Sequence, residues 1–239
     1  MNKGRYTAIR TAGSTVVLTF LAAQFCLAQD YRQFPGAAMD SRTLTIQEKV
    51  EDLYSSGDYD RALLIYEKEL APLGDKYAQY MVGFMHLTGK GVEESPAEAL
   101  AWYRLAAERD EVPFTKARDA LHEMLEPSEL KQSDVVFSAL WQRYGDRKLI
   151  LDLINQDLDI LRSENGGRPA EPRGASLAAG YSGNGTSDGY YRRVRARLAE
   201  RLQYLGSTRD AEDAGIADPE DVTGLEAEIR QELKALDIH

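Results

Sequence analysis

Cysteine and histidine are almost missing from this sequence. In 239 residues there is one cysteine, Cys26, and there are three histidines, His86, His122 and His239. A lone cysteine excludes a disulfide within the chain, so stability must come from packing. Metal-ligand spacing is absent too. His122-Glu123-Met124-Leu125-Glu126 opens like a helical zinc motif but lacks the second histidine, so one helix face cannot hold the metal. Gly180-Tyr181-Ser182-Gly183-Asn184 lacks the last glycine of a nucleophile elbow and follows no strand pattern. Gly183 and Gly185 open no phosphate-cradling loop. No catalytic residue, cofactor or metal site is therefore expected. Basic charge is also short: Lys and Arg number 29 against 39 Asp and Glu, a net charge of −10. Such a balance argues against a nucleic-acid partner.

Long hydrophobic runs are missing as well. The most apolar stretch, Val16 to Leu27, is shorter than the ~20 residues a membrane-spanning helix needs. It follows Lys3, Arg5 and Arg10 and ends in Cys26-Leu27-Ala28, with small residues at −3 and −1 of a cut before Gln29. Residues 1–28 thus read as a cleavable signal peptide. Phe25 before Cys26 makes a poor lipoprotein site. The expected mature chain is periplasmic or secreted, with no membrane span. Removing three basic and no acidic residue leaves 26 against 39, a charge of −13, and removes the cysteine.

What is present is helical periodicity. Ala78, Met81, Val82 and Met85 lie at i, i+3, i+4 and i+7, the stripe of an amphipathic helix. Tyr77, Tyr80, Phe84 and Leu87 form a second stripe beside it. An interior glycine, Gly83, disfavours a helix by ~1 kcal/mol relative to alanine and points to close approach of a neighbour. Gly89 and Gly91 end the helix. Ser95, Pro96 and Glu98 read as a capping box with proline at N1. Ala99, Trp102, Tyr103, Ala106 and Ala107 then mark the inward face of a second helix.

Val82-Gly83-x-x-His86-x-x-Gly89-x-Gly91, followed by Ala99-x-x-Trp102-Tyr103-x-x-Ala106-Ala107, resembles the Sel1-like repeat, a relative of the tetratricopeptide repeat. His86 replaces a usual tyrosine, Ser95 an aspartate, and Asp110 a closing glycine. The resemblance implies an α-solenoid and protein–protein contact rather than a reaction.

Internal similarity extends the pattern. Val50, Leu53, Tyr54 and Gly57 align with Val82, Met85, His86 and Gly89; Ala62, Leu63 and Tyr66 align with Ala99, Leu100 and Tyr103. The first unit spans Leu44 to Leu70. A degenerate third unit carries Phe114, Ala117, Leu121 and Met124 on one helix, then Leu130, Phe137, Leu140, Trp141 and Tyr144 on another. A further helix shows Ile150, Leu153, Ile154, Leu158 and Leu161. Between Glu164 and Gly189 seven glycines and two prolines read as a flexible linker. Two helices follow, with stripes Tyr191, Val194, Leu198, Leu202, Leu205 and Val222, Leu225, Ile229, Leu233, Leu236. These narrow stripes suit a hairpin or a coiled-coil seam, through which two copies could also pair.

The expected organisation is all-α: a signal peptide (1–28), a loose N-terminal arm (29–42), a Sel1/tetratricopeptide-like solenoid of helical hairpins (43–163), a linker (164–189) and a C-terminal helical hairpin (190–239). The expected function is a non-enzymatic scaffold or adaptor for a protein of the cell envelope. Binding of polysaccharide or peptidoglycan is the second reading, and an enzyme or enzyme subunit the third. Two partner surfaces stand out. One is Tyr77, Tyr80, Phe84 and Leu87, which are either open to a partner or covered by the preceding hairpin through Leu63 and Tyr66. The other is Arg192, Arg193, Arg195 and Arg197. These arginines either dock on an anionic surface or acidic partner, or are neutralised by the acidic residues between Asp210 and Asp221.

Overall fold

The computed structural model describes residue 34 and residues 41–165, 187–208 and 220–235. The proposed signal peptide, nearly all of the N-terminal arm, most of the linker and residues 209–219, which hold most of the acidic stretch, lie outside them. The described residues are helical and contain no strand. In order they form α1 (Ser41–Ser56), α2 (Tyr59–Ile65), α3 (Lys76–Thr88), α4 (Pro96–Ala106), α5 (Val112–His122), α6 (Pro127–Tyr144), α7 (Asp146–Asn165), α8 (Ser187–Leu205) and α9 (Glu220–Ala235). The fold is an all-α, solenoid-like arrangement. No described helix is long and apolar enough to cross a membrane.

The chain divides into two compact units, and the division falls inside α1 and α6: one unit takes residues 49–137 and Phe34, the other residues 138 onward and 35–48. In the first unit, α2 runs into a π turn over Tyr66–Leu70 and a 3-10 turn over Ala71–Leu73. Pro72 lacks the N–H that would continue the α-helical ladder. Gly74, at φ +73°, then reverses the chain. The π turn packs on α3, α3 on α4, and α4 on α5. The internal alignment is visible in the backbone: Gly57 (φ +85°) and Gly89 (φ +66°) both end their helices in the left-handed conformation. Val50 and Val82 are both buried, as are Ala62 and Ala99, Leu63 and Leu100, and Tyr66 and Tyr103.

The third unit departs from the sequence pattern at its end. Leu121 is buried, but α5 stops at His122, and Met124 turns outward at 43% exposure while Leu125 is buried. The apolar spacing continued one step beyond the helix that carries it.

In the second unit α7 is the central helix, with α8 and α9 both against it. Ile150, Leu151, Ile154, Leu158 and Leu161 are buried. A helix apolar on more than one side requires neighbours on more than one side. Thus α7, read from sequence as the end of the solenoid, packs with the two C-terminal helices. It continues to Asn165 and α8 begins at Ser187, so both ends of the expected linker are helical.

Candidate functional site

The site begins with the α3–α4 hairpin, whose termini are capped by side chains. The Asp75 carboxylate accepts the Ala78 N–H at 2.9 Å. The Ser95 hydroxyl accepts the Glu98 N–H at 3.4 Å, with Pro96 in the first turn. The capping box is only half formed, because the Ser95 N–H donates to the His86 carbonyl at 2.9 Å rather than to Glu98. The Glu98 carboxylate instead lies 3.3 Å from His86 Nδ1, without hydrogen-bond geometry. Burial holds the His86 imidazole below its ordinary pKa, against the upward pull of Glu98 and Glu67.

Gly83 explains how closely the two helices meet. A Cβ there would fall 2.7 Å from Cδ1 of Tyr103 and 3.0 Å from the Ala99 carbonyl oxygen. Ala99, Trp102, Tyr103, Ala106 and Ala107 are all buried. Gly91, at φ +72°, seats its loop against α2, where a Cβ would lie 2.6 Å from the Tyr59 carbonyl. Asp110 adopts φ +59° at the place of the expected closing glycine. An aspartate tolerates this left-handed conformation better than most residues.

The aromatic stripe of α3 faces inward for most of its length. Tyr77 and Phe84 are each 9% exposed. Tyr80 stacks on Tyr103 with ring centroids 5.1 Å apart and tilts against Phe114 at 5.5 Å. Within this stripe it is therefore Tyr80, itself half-buried, that α4 and α5 cover. Burial pushes the Tyr80 phenol up to about 12, and Tyr103 rises well above its ordinary value for the same reason. Leu87 is partly exposed. The Lys90 ammonium lies over the rings of Tyr54, Tyr59 and Phe84 at 4.7, 4.8 and 5.4 Å. It also donates to the Tyr54 hydroxyl at 2.8 Å. These cation–π contacts tie the Gly89–Gly91 loop to the first hairpin.

One buried ion pair escaped the sequence reading. Lys76 is fully buried and donates to Glu108 Oε2 at 2.8 Å and to the Leu105 carbonyl at 3.0 Å. It joins the start of α3 to the end of α4. A signal existed: a lysine in the first turn opposes the helix dipole, so a tertiary partner is needed to hold it there.

Beside the hairpin, α4, α5 and α6 enclose a cleft of about 420 Å³. Its apolar lining is Leu100 and Leu130; Arg104, Arg118 and His122 contribute the basic groups, and Asp119 and Asp134 the acidic ones. Among the described residues, no three His, Cys, Asp or Glu side chains converge as metal donors.

In the second unit, the arginine-rich helix is split in use. Arg192, Arg193 and Arg195 are exposed. Arg197 and Arg201 instead turn to α7 and share Asp157, which is fully buried. Arg197 Nε donates to Asp157 Oδ1 at 3.0 Å, and Arg201 Nη1 donates to Oδ2 at 2.6 Å. Arg201 also reaches the Leu153 carbonyl at 2.8 Å. Desolvation lowers the Arg201 pKa, while Asp157 pulls it back up. Arg201 occupies the inward position where the apolar stripe predicts Leu202, and Leu202 and Leu205 are only half-buried. Asp157 was legible, since it sits in the same stripe as Ile150, Ile154 and Leu161. Tyr204 donates to Asp146 at 2.8 Å, and Arg147 pairs with Glu226 of α9 at 2.8 Å.

No solved structure matches this chain. The family model for the Sel1 repeat matches residues 76–111, the segment from buried Lys76 through both helices to the turn at Asp110. Residues 76–111 are thus a Sel1 repeat, set within a chain of further helices.

Proposed function

We propose that this protein is a non-enzymatic adaptor of the bacterial periplasm that binds a protein partner through its helical-repeat unit. The Sel1 repeat at residues 76–111 carries this reading, because such repeats commonly mediate protein–protein contact. The supporting geometry is a hairpin locked at Gly83 and by the Lys76–Glu108 pair, which gives a rigid frame for a binding surface. The periplasmic assignment rests on the basic start, the short apolar run and the small residues at Cys26 and Ala28. Sugar stacking, the basis of a polysaccharide reading, finds little support in α3, where Tyr77 is buried and Tyr80 is stacked internally.

Chemical crosslinking of the tagged chain in intact cells, followed by recovery from envelope extract, tests the adaptor reading. A defined protein at reproducible stoichiometry is the expected result. Retention on cell-wall material without such a partner would overturn it. Intact-mass measurement of the exported chain tests the compartment: a start at Gln29 is expected, and an uncleaved Met1 or a lipid on Cys26 refutes it.

A further inference from the structure

We infer that the cleft between α4, α5 and α6 binds an acidic peptide segment of the partner, with a Glu or Asp side chain between Arg104 and Arg118 and a neighbouring apolar side chain on the half-buried Leu130. This rests on the adaptor reading and names the surface it uses. Arg104 lies over the Phe137 ring, 3.9 Å from its centroid, which fixes the plane of its guanidinium beside the cleft. Its Nη1 donates to Asp134 at 2.7 Å. Arg118 donates through Nε to Asp119 at 2.7 Å. A guanidinium carries five N–H donors in a planar fork that matches a carboxylate, so each arginine keeps donors for a ligand. His122 adds an exposed imidazole to the same wall.

The two aspartates act as stand-ins for that ligand. Asp119 and Asp134 have side chains 62% and 66% exposed, while Arg118 and Arg104 are held inward at 28% and 23%. Ion pairs with so exposed a partner contribute little to the fold and exchange readily. An incoming carboxylate that brings an apolar neighbour replaces them and also covers the exposed part of Leu130. The chain carries a net charge of −10, so capture of an acidic segment must be local to these donors rather than a general attraction.

The probe is a fluorescein-labelled, C-terminally amidated nonapeptide holding two glutamates among three leucines, flanked by serine and glycine. Anisotropy titration of the full chain should give a Kd about tenfold tighter than for the counterpart with glutamine in place of glutamate, the difference expected of charge-assisted over neutral hydrogen bonds. Arg118→Gln should weaken binding about tenfold by the same reasoning. Asp119→Asn should tighten it, because it removes the internal competitor; a merely structural ion pair predicts the opposite sign. Equal affinity for the glutamine peptide, an unchanged Kd in Arg118→Gln, or weaker binding in Asp119→Asn overturns the assignment. The two readings fail separately. If Arg118→Gln still crosslinks the partner as the parent does, the cleft is wrong and the adaptor stands. If the parent captures no protein but binds the peptide through Arg118, the adaptor fails alone.

Discussion

Replacing Gly83 by alanine sets two effects of known size against each other. In a helix interior alanine is favoured over glycine by ~1 kcal/mol, so a solvent-facing Gly83→Ala would stabilise the protein. Here the added Cβ would lie 2.7 Å from Cδ1 and 2.8 Å from Cε1 of Tyr103, and 3.0 Å from the Ala99 carbonyl. Comfortable contact between carbon atoms is about 3.5–4.0 Å, so the ring must retreat by most of an ångström. It has little room to do so, because it also stacks on Tyr80, which in turn leans on Phe114. Overpacking of this kind costs typically ~1–3 kcal/mol, so after the ~1 kcal/mol propensity gain the net expectation is a loss of up to ~2 kcal/mol. For a chain of this size that lowers the melting temperature by several degrees. Circular dichroism melts of the parent, Gly83→Ala, Tyr103→Ala and the double variant form a cycle. In the Tyr103→Ala background the same glycine substitution should lose most of its cost. A higher melting temperature for Gly83→Ala in the parent would refute the close approach of α3 and α4 as the reason for this glycine.

Four further outcomes are expected. Trp102→Ala should cost ~3–5 kcal/mol in thermal or urea unfolding, as the ring is 3% exposed. Lys76→Ala should cost ~3–5 kcal/mol by removing the ammonium paired with the buried Glu108 carboxylate, whereas Lys76→Met with Glu108→Leu should recover much of that in the same melts. Asp157→Ala leaves Arg197 and Arg201 without their shared carboxylate, so limited trypsin digestion should cut within α8 faster than in the parent. For Tyr80 the folded-state pKa, about 12, lies above the unfolded value near 10. The unfolded chain therefore loses this proton first, so its contribution to stability is complete below about pH 10 and is lost as pH rises toward 12. Urea midpoints across that window should fall, and fall less in Tyr80→Phe.

Local chemistry determined much of this molecule by sequence alone. Apolar spacing defined α3, α4 and α7, and glycine marked the left-handed ends at Gly57 and Gly89, because these are properties of a residue and its near neighbours in the chain. Gly83 announced a close approach before any neighbour was known, since an interior glycine is disfavoured unless something needs the space. Tertiary structure decided what depends on partners distant in sequence. Tyr80 reads equally well as a groove residue or a core residue until Phe114, 34 positions later in the chain, is placed against it. Lys76 and Glu108 read as surface charges until the hairpin closes over both. The arginines of α8 form a single cluster in sequence, but α7 divides them, drawing Arg197 and Arg201 onto Asp157 and leaving Arg192, Arg193 and Arg195 exposed. Periodicity states which residues share a face. Only packing decides which faces meet, because burying a charge or a ring is favourable solely where another element supplies its counter-charge or contact.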